Sequence, residues 1–480
     1  MRRFRYQVSL ILALCCSFGC NRAGDEILVT DEPLDKHGVN YIYDSRAIPE
    51  VHVEVSLAQW NTLLKAYDKN SATSEHIKCN VRFIKHKDTT LIKEAALRLK
   101  GNTSRRRPEG SNGQLHSATH PDWHHCHYVI NFHKWHKDAD HKLHGAEKIA
   151  FKWYKDDPSY VRENFCYDLF RRFGVWTASH TAYCRFFIEV QGDPKEYYLG
   201  IYDMVEPVDT DYLKVRDSED EFGSDGGNLW RCRWGARLNS VSANMGPDLG
   251  DGKEYTYELK TNVEDFENAE EQLKDFIGKS LRLNGQEFAS WIRTHCDVDL
   301  LLKTYAVNVA VGMWDDYWNN CNNFYIYFNS TDPQSYKFFF IPYDYDNTLG
   351  TTSWCGVQSD AGRHDPFNWG DSKQNPLIHK ILQIDDFKQI YKRYLLELVS
   401  EDNAFLRPSS CADRIRTWQS MIKLFVPNDT GEDMSISDRP APWSSHGEYR
   451  LLQMGNDNYF TVKTNSIKRD RPSLCRGRRM

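Results

Sequence analysis

The chain has 480 residues, 40% hydrophobic and 13% aromatic, enough to bury one large core or two ordinary ones. Its 61 basic and 67 acidic residues leave a net charge of −6, which argues against nucleic acid as the partner. The cysteines beyond Cys20 are widely spaced and never form CxxC, so neither a zinc ribbon nor a thioredoxin-type site is indicated; Cys166 and Cys184 fall on apolar faces, as buried thiols do.

Residues 1–19 read as a signal peptide: Arg2, Arg3 and Arg5 precede an apolar run from Val8 to Cys16, then small residues. The ending "SFGC" resembles a lipobox, which makes Cys20 the lipidated first residue of the mature chain and 20–45 a tether. Without the leader the basic count drops from 61 to 58 against 67 acids, a charge near −9. The expected place is the cell envelope, with the protein held to a membrane by lipid.

The folded part is expected from 46 to 400, with a helical extension over 401–480 packed on the same body. Its first portion is strand-rich: 51–56 and 77–84 alternate, and "EAALRLKGNTS" (94–104) is a strand entering a Gly-Asn turn. A polar loop follows, then the apolar strand 127–132. Nine of the 18 histidines lie between 116 and 144. His124, His125, Cys126 and His127 have the ligand types zinc prefers, but neighbours on an extended chain point to opposite sides, so solvated loop histidines are expected.

The pattern predicts a helix over 156–175, with Asp157 as N-cap, Pro158 in the first turn, Gly174 as the left-handed stop and Val161, Phe165, Leu169 and Phe173 as the apolar stripe. A hairpin follows over 183–209 and carries Glu206 outward to an edge. Two short strands, "NLWRCRW" and "YELKTN", lead to a helix over 264–280 that stops at Gly278 and to an all-round apolar helix over 297–313.

That helix delivers the chain to "WDDYWNNCNNFYIYFN" (314–329), and about fifteen residues later comes "YKFFFIPYDYDNTLG" (336–350). Two successive buried strands, one entered from an Asp/Asn loop and one leaving into Asp-x-Asp, predict a hairpin whose open end gathers oxygen-bearing side chains. Pro342 ends the second strand, and Asp344, Asp346 and Asn347 could simply cap the turn. The same gathering suits Mg²⁺ or Ca²⁺. Asp316, Asn323 and Asp344 also follow the order of a kinase base and its metal ligands. A structural calcium site and a glycosidase carboxylate pair use the same residue types.

Seven stretches in order, "LRLKGNTSR" (97–105), "YVRENFCYDLFRRFGV" (160–175), "YLGIYDMVEPVDTDYL" (198–213), "NLWRC" (228–232), "YELKTN" (257–262), "NNFYIYF" (322–328) and "IPYDYDNTLG" (341–350), resemble the CotH kinase family of atypical protein kinases. The resemblance implies an α+β, atypical protein-kinase-like two-lobed fold with a strand-rich N-terminal part and a helical C-terminal part. It implies transfer of phosphate from ATP with Mg²⁺ or Mn²⁺ to a hydroxyl, on Ser or Thr of an envelope or secreted protein acceptor; the alternative is a catalytically silent surface-binding or structural lipoprotein keeping that fold. Carried to matching positions, it places Arg98, Lys100, Gly101, Asn102 and Ser104 on the nucleotide side, Glu206 as partner of a phosphate-binding Lys152, Asp316 as base, and Asn323, Asp344 and Asp346 as metal ligands. Asn131 stands where the family usually has a lysine, and the doubled Asp315-Asp316 leaves the base open by one position.

Overall fold

A computed structural model describes residues 38–469 apart from 219, 251, 354–359 and 372; the expected signal peptide and Cys20 lie outside the described residues. A short helix, α1 (Gly38–Tyr43), leads in, and its C-terminal carbonyls are satisfied by one buried lysine. Lys85 Nζ donates to the carbonyls of Tyr41, Ile42 and Asp44 at 2.7, 3.1 and 2.8 Å.

Seven strands then close into a barrel: β1 (Glu50–Val55), β2 (Ile77–Lys85), β3 (Asp88–Lys100), β4 (His127–Asn131), β5 (Lys148–Lys152), β6 (Thr181–Val190) and β7 (Tyr197–Val205). The order is β1-β2-β3-β4-β5-β7-β6, sealed by parallel pairing of β1 with β6. Alternation sends Val51, Val53, Leu97, Leu99, Tyr128, Phe151 and Ile188 into one apolar cluster, joined by Trp60, Leu63 and Leu64 of α2 (Leu57–Lys69).

The rest of the chain builds a second cluster. Helix α3 (Arg162–Arg172) lies between β5 and β6, and α4 (Thr210–Asp217) follows β7. The strands β8 (Asn228–Cys232), β9 (Met245–Pro247), β10 (Tyr257–Leu259), β11 (Phe324–Phe328) and β12 (Phe338–Pro342) form a sheet of order β12-β11-β8-β10-β9. Between β10 and β11 run α5 (Phe266–Arg282), α6 (Gly285–His295) and α7 (Val298–Val311); after β12 come α8 (Pro376–Leu382), α9 (Asp385–Leu398), α10 (Pro408–Ile422) and α11 (Tyr459–Arg469). Helix α7 has 12 of 14 residues buried and packs on α9, so truncating Leu302 to alanine would cost about 2–5 kcal/mol. Val129, Ala150, Tyr183, Ile201 and Val205, on the outward faces of barrel strands, belong to this second cluster, and the two cores meet there.

Several expectations change. Helix α3 begins at Arg162, four residues beyond Pro158, because Asp157 is spent on a buried turn: its carboxylate accepts from the amides of Ser159, Val161 and Arg162 at 2.9, 3.0 and 2.9 Å and pairs with the Arg162 guanidinium. Helix α5 runs through Gly278 to Arg282, since a helix packed along one face tolerates the roughly 1 kcal/mol a glycine costs. In the expected C-terminal helical extension, 426–458 is irregular. This stretch lies against the barrel, with Glu432 bridging Arg106 at 2.8 Å and the Asp429 amide donating to the Tyr198 carbonyl at 2.8 Å. The histidine loop is not simply solvated either, for His125, Cys126 and His127 are buried. The eight described cysteines are all buried, Cys166 and Cys184 among them as free thiols.

Candidate active site at the seam of barrel and hairpin

Strand register puts a polar row on the barrel's outer face. Lys100 opposes His127, Tyr128 opposes Phe151 so that His127 falls beside Lys152, and Lys152 opposes Asp203. Neighbours across a ladder share a face, and this one looks toward the second core. His127 Nδ1 accepts from the Trp153 amide at 3.1 Å. Burial, with Lys152 and Lys100 beside it, holds that imidazole neutral, well below its usual range. Burial and the Lys152 charge also lower Lys100 to about 8.

Opposite this row is the mouth of the β11–β12 hairpin. Phe324 pairs with Pro342, so Asn323 and Tyr343–Asp344 emerge together. Cys321, Asn323 and Asp344 take left-handed backbone at φ +59, +56 and +64, a cost of order 1–3 kcal/mol each that tends to gather at functional sites. The Asp344 amide donates to the Tyr167 hydroxyl at 3.0 Å, tying the turn to α3.

Lys152 joins the two sides. Its Nζ lies 2.5 Å from Glu163 Oε2 in the first turn of α3, contacts Asp344 Oδ1, and sits 3.7 Å from Asp346 Oδ2. The Lys152 and Glu163 side chains are each 6% exposed, Asp344 33% and Asp346 30%. Burial alone would neutralise Lys152, but Asp344, Glu163 and Asp346 outweigh it and hold its pKa well above the ordinary lysine range. Burial would likewise raise Asp344, yet Lys152 and Lys100 keep it below the usual carboxylate range. Glu163 and Asp346 are pushed upward, first by burial and then by neighbouring carboxylates that Lys152 only partly offsets. Glu163, Asp344 and Asp346 thus share the single lysine Lys152, and a hard divalent cation suits that oxygen donor set.

The adjacent aspartates part company. Asp315 accepts from the side-chain amides of Asn320 (2.5 Å), Asn322 (3.3 Å) and Asn323 (3.0 Å). Burial raises its pKa to about 6 against those hydrogen bonds, and the Asp344 charge adds to the rise. Asp316, expected as the base, is turned into the core at 3% exposure. Its two oxygens accept from Asn308 Nδ2 at 2.5 Å and the Asn319 amide at 2.7 Å, and Tyr345 donates to Asn308 Oδ1 behind it at 2.7 Å. Asp316 therefore organises the loop, and Asp315 is the carboxylate at the mouth.

Glu206 also departs from expectation. It is buried just past β7, where its carboxylate receives both Arg216 Nη atoms at 3.0 and 2.9 Å and lies 2.9 Å from His180 Nδ1; the acid beside Lys152 is Glu163. At the end of β3, Arg98 shares the outward face with Lys100 and is lowered to about 10 by burial and by the nearby Arg105 and Arg231. The turn that follows is tight: Gly101 has φ +111, and a Cβ there would stand 2.5 Å from Ser104 Oγ. The Arg105 amide donates to the Asn102 carbonyl at 3.2 Å and Arg105 Nε to the Gly101 carbonyl at 3.1 Å. Glu163 and Arg231 were missed from sequence. The one available signal was an acid in the first turn of the helix after the Lys152 strand.

A lysine held between a helix carboxylate and a turn aspartate, facing an Asp/Asn loop, has the residue types that phosphoryl-transfer sites use. The family model described as CotH kinase protein matches residues 97–459, and the chain belongs to that family. No curated protein matches the sequence. Membership points to kinase-like phosphotransfer, with nucleotide and metal use.

Proposed function

We propose that the protein transfers the γ-phosphoryl group of ATP, with Mg²⁺ or Mn²⁺, to a hydroxyl on Ser or Thr of an envelope or secreted protein, from a two-lobed kinase-like fold. The observation that carries the reading is the bridge from Glu163 through Lys152 to Asp344, the ion pair and metal aspartate that kinases must assemble together. Asp344, Asp346 and Asn323 have the oxygens to hold the cation, which would neutralise phosphate charge. Lys152, Lys100, Arg98 and Arg231 supply the positive charge that orients the phosphates, and the Gly101–Arg105 turn brings backbone close to them. Asp315 takes the proton of the acceptor hydroxyl as its oxygen bonds to the γ-phosphorus and the bond to ADP breaks. Asn320, whose side-chain amide donates to Asp315 at 2.5 Å, would hold that carboxylate in place. A lipid on Cys20 would keep the enzyme at the envelope, and Cys20→Ala should then release it from membranes.

Purified protein incubated with labelled ATP and Mg²⁺ or Mn²⁺ tests the reading. Asp315→Asn should keep nucleotide binding and lose transfer by about 10²–10⁴-fold, while Asp316→Asn should still transfer. Wild type that binds ATP but labels neither itself, casein-like acceptors nor co-purified envelope proteins would instead be the silent binding module.

A further inference from the structure

The histidine-rich connection from β4 to β5 carries a second group of ligands, away from the Lys152 site. His136, Asp138 and His141 each offer a ligand atom, all within 4.8 Å of one another, on a stretch closed by the 3-10 turn Ala139–His141. We propose that these three residues form a partly exposed site for a divalent transition-metal ion, with Glu94 of β3 setting the orientation of His136.

The imidazole rings of His136 and His141 lie nearly parallel, 22° apart with centroids 4.2 Å apart. Each ring is held by a carboxylate on one nitrogen: His136 Nε2 is 2.7 Å from Glu94 Oε2, and His141 Nδ1 is 2.6 Å from Asp138 Oδ1. Glu94 is itself fixed, because its other oxygen receives Lys78 Nζ from β2 at 2.8 Å. An imidazole that gives one N–H to a carboxylate presents the lone pair of its other nitrogen, the arrangement that orients histidine ligands around metals. His136 Nδ1 is such a free nitrogen; at His141 the ion would take the place of the proton shared with Asp138, so that His141 Nδ1 and the Asp138 carboxylate supply the second and third donors.

Two imidazoles and a carboxylate select Zn²⁺, Cu²⁺ or Ni²⁺ over Mg²⁺ and Ca²⁺, so this site does not compete for the ion of the all-oxygen seam. A tetrahedral zinc with bonds of about 2.0–2.2 Å needs ligand atoms about 3.3 Å apart. Side chains 36%, 57% and 21% exposed can rotate to close that difference, and water fills the open position.

Calorimetric titration of the purified full chain with ZnCl₂ in excess MgCl₂, which keeps the seam carboxylates occupied, tests this. Wild type should show one zinc site that His136→Ala and His141→Ala each weaken at least about tenfold, and that Glu94→Gln weakens about 10–100-fold. His124→Ala should leave the isotherm unchanged. Melting in EDTA should be the same for all of these variants, because none of these side chains is buried; if His141→Ala melts lower, His141→Gln replaces it. A His136→Ala/His141→Ala double variant that binds zinc like wild type, or a wild type that takes no zinc below millimolar concentration, overturns the proposal.

Discussion

The barrel and the hairpin meet at one seam and build their halves of it by different means. On the barrel, Lys100, His127 and Lys152 are neighbours because ladder hydrogen bonds leave them no choice of register. At the hairpin, Asp315, Asn323, Asp344 and Asp346 stand beyond the strand ends, on turns containing left-handed non-glycine residues. The cations are thus pre-placed by regular structure, while the acids depend on what they bind. Lys152 is where the two kinds of positioning are locked together.

Lys152→Met should break that lock most severely. It strands buried Glu163 and takes the nearest cation away from Asp344 and Asp346. Losing one partner of a buried ion pair costs about 3–5 kcal/mol, which denaturant unfolding would register, and transfer should vanish with it. Mg²⁺ should restore more stability to this variant than it adds to wild type.

Asp344→Asn attacks the hairpin side alone and leaves the Lys152–Glu163 pair intact. Transfer should fall at least about a thousandfold, roughly 4 kcal/mol, and the rise in melting temperature that Mg²⁺ and ATP give wild type by mass action should disappear. An equal shift in variant and wild type would remove Asp344 from the ligand set.

Asp316→Asn separates loop organisation from chemistry. One of its two accepted hydrogen bonds must be lost, a cost of about 1–3 kcal/mol in stability, with transfer changed only severalfold. A collapse of transfer comparable to that of Asp315→Asn would return the base to Asp316.

These contrasts also mark what was legible in the sequence. The β11–β12 hairpin and its acidic mouth were readable because "FYIYF" and "FFFIP" are buried runs ending in Asp and Asn. The choice between Asp315 and Asp316 was not, since adjacent residues on a turn point apart and only the tertiary position of Asn308 decides which faces inward. Glu163 was hidden among the polar positions of an amphipathic helix. Barrel closure rests on the parallel β1–β6 pairing of Val53 with Ile188, more than a hundred residues apart, for which local alternation carries no signal. Glu206 looked like an edge acid because Arg216, its partner, sits on the following helix.

The smallest expected effect lies at the other end of the barrel and serves as a control for the seam. His116 bridges two carboxylates, with Nδ1 2.9 Å from Glu109 Oε2 and Nε2 2.7 Å from Asp193 Oδ1, all three side chains at most 4% exposed. Trp60 Nε1 also donates to Glu109 Oε2 at 2.7 Å. Burial alone would lower the imidazole, but hydrogen bonds and charge from Glu109 and Asp193 outweigh it and hold its pKa above the ordinary value. Folding therefore takes up a proton here. The stabilisation is fully present below about pH 6.5, the unfolded value, and is lost as pH rises through the higher folded value. His116→Gln should lower stability by about 1 kcal/mol at the acid end, and its melting-temperature gap from wild type should narrow toward alkaline pH. Asp193 is in the turn before β7, whereas Asp203, opposite Lys152, is near the far end of that strand, so transfer should stay at the wild-type rate. A gap that widens with pH would reverse the assigned sign, and a loss of transfer would mean that the barrel's two ends are coupled.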